Sequence, residues 1–93
     1  MFFEVFAASS EPDYNDNDVV EFGFMSVAVQ LNFRSGTDPV YFSFNGKDDS
    51  GVLHVAGGDY RQNQTFKPLR TNKVWFRGAS GDEIVEVTAL PAV

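Results

Sequence analysis

A chain of 93 residues is enough for one domain and too short for a second, and the absence of cysteine removes disulfides, thiolate metal sites and a cysteine nucleophile. The net charge of −6 sits wholly in the first third: residues 1–33 hold six acidic side chains and no basic one, whereas seven of each sign follow from Arg34 onward. An acidic face repels nucleic acid, which is therefore not an expected partner, and no run approaches the roughly 20 apolar residues of a membrane span.

The first segment, Met1 to Ala7, places Phe2, Glu4 and Phe6 on one parity and Phe3, Val5 and Ala7 on the other. Both faces are apolar, as in a buried strand or one that packs on another chain. The segment lacks the basic start of a secretory signal, so synthesis in the cytoplasm is expected. Ser9 to Asp18 is rich in Asp and Asn and reads as an acidic loop or a reaching arm. Asp13 to Asp18 begins like a calcium loop, but Asp18 stands where the loop needs glycine and Phe24 where it needs the bidentate glutamate, so no metal site is expected. Residues 1–18 are expected to form an N-terminal strand plus an acidic loop or arm, and 19–93 the β-sandwich core of the single domain.

Phe22 and Phe24 fall on even positions, while Met25, Val27, Val29, Leu31 and Phe33 fall on odd ones. A period of two cannot point both sets at one core without a bulge or bend near Gly23 to Ser26, unless one set faces a neighbouring subunit. Val27–Phe33 is the clearest strand, followed by Val40–Phe44. Asn45-Gly46 opens a polar turn that leads to a strand at Gly51–Val55. After Gly57-Gly58-Asp59, the run Tyr60–Phe66 is polar and suits an edge, and Pro68 argues against a central position. Lys73–Arg77 is short and well bounded, with a Gly-rich turn after it. Glu83–Ala89 closes the chain, with Val85, Val87 and Ala89 inward. No window has helical period. The pattern predicts an all-β fold: a single-domain antiparallel β-sandwich or small jelly-roll-like barrel.

The search for reaction chemistry yields no constellation. His54 is the sole histidine, and alternation with Leu53 and Val55 points it outward to the surface. The pairs Asp48-Asp49 and Asp82-Glu83 lie in turns and read as solvated. No enzyme activity and no cofactor is expected. Ten Phe, three Tyr and one Trp exceed what so small a core readily absorbs, so some should mark interfaces. Trp75 shares its face with Lys73 and Arg77, opposite Val74 and Phe76. It is either covered by its own loops, an interface anchor flanked by two cations, or part of a sugar platform with Tyr41 or Tyr60. The candidate contact residues are Phe2, Phe6, Tyr14, Phe24, Tyr41, Lys73, Trp75 and Arg77.

The stretch from Val40 to Ala89 resembles small β-rich virion proteins of tailed bacteriophages. The features shared are Val40-Tyr41-Phe42-Ser43-Phe44-Asn45-Gly46, then Gly51-Val52-Leu53 with a Gly-rich turn, a Phe66-type position, Lys73-Val74-Trp75-Phe76-Arg77-Gly78 and Ile84-Val85-Glu86-Val87. The resemblance implies a capsid decoration or cement protein on the virion exterior, made in the host bacterial cytoplasm. It further implies binding to the major capsid protein, commonly as a homotrimer. Two alternatives accompany it: a head–tail, collar or fibre-base component, and a carbohydrate-binding β-sandwich module.

Overall fold

The computed structural model describes residues 1–54, 62–78 and 80–91. Eight strands run β1 (Phe2–Ala7), β2 (Val19–Glu21), β3 (Ser26–Ser35), β4 (Val40–Ser43), β5 (Gly51–Leu53), β6 (Asn63–Phe66), β7 (Lys73–Arg77) and β8 (Ile84–Pro91). They form two four-stranded antiparallel sheets, ordered β1-β8-β3-β6 and β2-β7-β4-β5, which close as a β-sandwich. The expected turn at Gly57 to Asp59, the outer residues of the strand expected from Tyr60, and Val55 lie outside the described residues.

Alternation of side chains fills the space between the sheets. Val29, Leu31 and Phe33 of β3, Val40 and Phe42 of β4, Val74 and Phe76 of β7, and Val85, Val87 and Ala89 of β8 are buried. The parity break resolves as a bulge in β3, where the register against β8 shifts between Ser26 and Ala28. Phe22 is buried and Phe24 packs on the core before the bulge; the buried series restarts at Val29 after it. Met25 and Val27 remain exposed, the residues that a change of phase must leave out.

Nine of the ten phenylalanines lie in or against this core, a larger share than composition suggests. The two-faced first strand explains part of the difference. As β1 pairs with β8, Phe2 reaches Phe22 and Phe6 stacks on Phe76, each at a ring separation of 5.4 Å. Phe42, Phe44 and Phe66 form a second group of edge-to-face rings 5.1–5.7 Å apart. Only Phe3 points away.

Six of the seven connections pass between sheets, all but the β4–β5 hairpin. Polar clasps tie them at the two ends. At one end Glu83, fully buried, accepts the backbone N–H groups of Thr37 and Asp38 at 3.1 Å, the N–H of Ser80 at 2.5 Å, and the Ser80 hydroxyl. Its own carbonyl accepts the N–H of Ala8 at 3.0 Å. One residue thus ties the β1–β2, β3–β4 and β7–β8 connections. The expectation that Asp82-Glu83 is solvated is corrected: Asp82 is exposed, but Glu83 turns in because it is the acceptor these donors need. Gly36 makes room for it, since a Cβ there would lie 2.6 Å from Cγ of Glu83, at a φ of +136° that other residues rarely adopt. At the far end, the Ser26 N–H donates to Thr71 O at 2.8 Å, and the Ser26 hydroxyl donates to Leu69 O at 2.7 Å and accepts the Thr71 N–H at 3.2 Å.

Burial acts to raise the pKa of Glu83, but the hydrogen bonds from Ser80, Asp38 and Thr37 outweigh it and hold the pKa at about 2, below the ordinary 4.5. A depressed folded-state pKa gives stability that is complete above the unfolded value and lost as pH falls toward the folded one. Unfolding stability should therefore drop between about pH 5 and pH 2, and Glu83→Gln should flatten that dependence. At neutral pH the same substitution should cost about 2–4 kcal/mol, because buried donors lose a charged acceptor. Urea titrations across the pH range read both effects; an unchanged pH profile in the variant would contradict the clasp.

Candidate functional site

The outer side of the β2-β7-β4-β5 sheet gathers most of the candidate contact residues. Alternation in β7 sends Lys73, Trp75 and Arg77 outward, and the pairing of Tyr41 with Arg77 sets the Tyr41 ring beside them. The β4–β5 turn brings Asp49 over the same surface. The Asn45 carboxamide oxygen shapes that turn by accepting the N–H groups of Lys47 and Asp48 at 2.8 and 2.9 Å, and the Ser43 hydroxyl accepts that of Gly46 at 3.0 Å.

Arg77 is the hub. Its Nε and Nη2 donate to the two oxygens of Asp49 at 3.0 and 2.7 Å, and Nη1 donates to Pro12 O at 3.3 Å. The guanidinium lies 4.6 Å from the Tyr41 ring centre and 5.4 Å from that of Tyr14, between two aromatic rings. Tyr14 also donates its hydroxyl to Asp49. The acidic loop is thereby fastened across the sheet and does not extend as an arm. Two further bonds hold it: the Gly78 N–H donates to Glu11 O at 2.9 Å, and the Ser9 hydroxyl donates to the buried Asp18 carboxylate at 2.6 Å.

The hydrogen bonds of Arg77 and then of Tyr14 hold the Asp49 carboxyl below its ordinary pKa, and Asp49 in turn raises that of Arg77. Burial, reinforced by the bond to Asp49, pushes the Tyr14 hydroxyl above its usual value of 10. All three are thus held in the charge states their contacts require at neutral pH.

Trp75 stands apart from this hub. Lys73 Nζ lies 5.2 Å over its ring and also faces Glu21 at 3.9 Å. Gly46, at φ +77°, approaches the indole so closely that a Cβ would lie 3.0–3.2 Å from it. The expected pair of cations around Trp75 is therefore half right: Lys73 covers it, while Arg77 is drawn away by the Asp49 fork. Each of Tyr14, Tyr41 and Trp75 is capped on a face by a cation. Tyr60 lies outside the described residues.

A polar cleft of about 470 Å³ opens beside the hub, walled by Pro12, Tyr14, Lys47, Asp48 and Arg77. Phe2, Phe6 and Phe24 are elsewhere, half-buried against the core. His54 lies just beyond the end of β5, where strand alternation no longer sets its direction. It is half-buried, edge-on to Phe33 at 5.6 Å, with Nε2 3.0 Å from Thr37 O. It is not the outward surface histidine that the pattern suggests.

The opposite outer face has another character. Met1, Phe3, Val5 and Leu90 are 82%, 55%, 43% and 44% exposed, along the β1 and β8 side of their sheet. Met1 and Leu90, with Ala28, Thr88, Gln30 and Lys67, line a shallow trough of about 320 Å³. Sequence parity placed Phe3 and Val5 together, but only the pairing of β1 with β8 makes that face an outer one.

Comparison with protein-family models, curated proteins and solved structures finds no match for this chain.

The hub predicts a local response. Arg77→Ala should release the acidic loop, speeding amide exchange at Gly78 and costing about 1–2 kcal/mol, since exposed ion pairs are individually weak and the fork and rings add to one. Tyr14→Phe, which keeps the ring, should have a smaller effect. Equal protection of Gly78 in Arg77→Ala would show that the loop is held by other contacts.

Proposed function

We propose that this protein is a structural assembly module, a decoration or cement protein that binds the exterior of a tailed-phage capsid lattice as a homo-oligomer. One observation carries the reading: the sandwich displays two chemically unlike outer faces, one crossed by a pinned acidic loop, the other bearing an exposed apolar stripe of Met1, Phe3, Val5 and Leu90. A protein that clamps several neighbours needs such surfaces preset, because ordering them at the moment of binding would cost affinity. The major capsid protein is the partner that the resemblance implies, and basic lattice loops would complement the acidic loop and the Asp48 side of the cleft.

The capping of Tyr14, Tyr41 and Trp75 by Arg77 and Lys73 argues against the carbohydrate alternative, which needs a bare aromatic face. Copy number separates a capsid position from one at a collar or fibre base. Quantitative mass spectrometry of virions should find this chain in hundreds of copies, and the purified chain should co-sediment with undecorated capsids. A few copies per particle would favour the collar or fibre base, and absence from virions would end the assignment.

A further inference from the structure

Asn45-Gly46 is the sole Asn-Gly step of the sequence, and it opens the β4–β5 turn that brings Asp49 to Arg77. In an Asn-Gly step the asparagine loses its amide readily, because no side chain on the glycine obstructs the reaction. The glycine nitrogen attacks the carboxamide carbon, a C–N bond forms, and ammonia leaves. Water then opens the cyclic imide at either carbonyl and leaves aspartate or isoaspartate. Water is the only co-reactant.

Both reacting groups are held in hydrogen bonds to one buried side chain. The nucleophile, the Gly46 nitrogen, directs its N–H to the Ser43 hydroxyl at 3.0 Å, and the Asn45 N–H donates to the same oxygen at 3.2 Å. Ser43 is fully buried. Its hydroxyl donates in turn to the Asn45 carboxamide oxygen at 2.9 Å, which also accepts from Lys47 and Asp48. Those donors polarise the carboxamide carbon and favour attack. Attack nonetheless requires the Gly46 peptide to turn away from Ser43 and the nitrogen to lose its proton. Gly46 has little room to turn, since a Cβ there would already lie 3.0–3.2 Å from the Trp75 indole. The nucleophile is therefore the group that is withheld.

We infer that Asn45 is a latent deamidation site, held closed by the Ser43 hydroxyl, and that its conversion to isoaspartate unlatches the acidic loop from Arg77. In the isoaspartyl form the backbone runs through the former side chain, so the chain gains a methylene and the Lys47 and Asp48 N–H groups lose their common acceptor. A new carboxylate also stands beside Asp48 and Asp49. The direction of Asp49 is set by this turn on one side and by the Ser50 N–H, which donates to Phe42 O at 2.7 Å, on the other. With the first constraint gone, the fork on Arg77 opens. The aspartyl product differs, because it keeps the backbone path and offers the same donors a charged, stronger acceptor. The change is irreversible, so the latch responds to the age of the molecule and not to a ligand. The inference concerns the Arg77 hub alone and stands apart from the decoration reading.

Incubating the full chain at mildly alkaline pH and mapping its peptides by mass spectrometry gives the rate at Asn45. The folded chain should convert more slowly than the same chain in urea. Ser43→Ala, shown by its melting profile to be folded, should convert at least about fivefold faster than the folded wild type, the effect of losing one ordinary hydrogen bond. Equal rates for the wild-type chain folded and in urea, or an unchanged rate in folded Ser43→Ala, would overturn the gate. The isoaspartyl form, purified from aged wild-type chain, should exchange its Gly78 amide as fast as Arg77→Ala does, with the core-strand amides as internal standard. Asn45→Asp should keep that amide slow. A Gly78 amide still protected in the isoaspartyl form, or one exposed in Asn45→Asp, would overturn the latch.

Discussion

The sandwich depends on a carboxylate taken out of water. Six connections must turn from one sheet to the other, and each turn exposes backbone donors where no strand partner can reach them. At one end Glu83 collects three such N–H groups and a hydroxyl, from the turns after β3 and β7, and its own carbonyl holds the chain leaving β1. A buried charge is costly when unpaired, but here the acceptor lone pairs are filled by fixed donors. Ser26 and Thr71 do neutral work of the same kind at the other end. In a chain without cysteine, these clasps and the phenylalanine core share the task that staples perform in other small domains.

Fixing the ends of the sandwich fixes what its faces present. β7 is central in its sheet, held by β2 and β4, so the outward set Lys73, Trp75 and Arg77 has little freedom of direction. The acidic loop leaves β1 beside the Glu83 clasp and returns through Asp18, whose carbonyl accepts the Phe76 N–H at 3.0 Å. Between those anchors the Arg77 fork, its bond to Pro12 O, the two tyrosine rings and the Gly78 bond to Glu11 O hold it down. Exposed ion pairs contribute little singly, and the loop owes its position to several modest contacts acting from fixed points.

Much of this was legible in the sequence. Alternation located β3, β4, β7 and β8 and most of their inward residues; the parity break near Gly23 to Ser26 called for a bulge, a bend or a subunit contact, and the bulge lies slightly later, between Ser26 and Ala28, which leaves Met25 and Val27 exposed. Composition showed that the excess acid lies early in the chain. The parts that escaped depend on long-range pairing. Val19–Glu21 is too short to show a period, and becomes a strand only because β7 offers it an edge. Glu83 and Asp49 sit in turn-like sequence, where a carboxylate that caps a neighbouring turn and one that faces water look the same. Phe2 and Phe6 read as contact residues because a strand apolar on both faces does not say which face its own core will claim.

The central claim is that the buried Glu83 carboxylate fixes one end of the sandwich and, through it, the chain that enters the acidic loop. The most direct test is a residue-resolved NMR measurement of amide hydrogen exchange on the free chain. The account predicts that the Ala8, Thr37, Asp38 and Ser80 amides exchange as slowly as those of the core strands, although all four lie in connections. Fast exchange at those amides, with the core strands still protected, would contradict it.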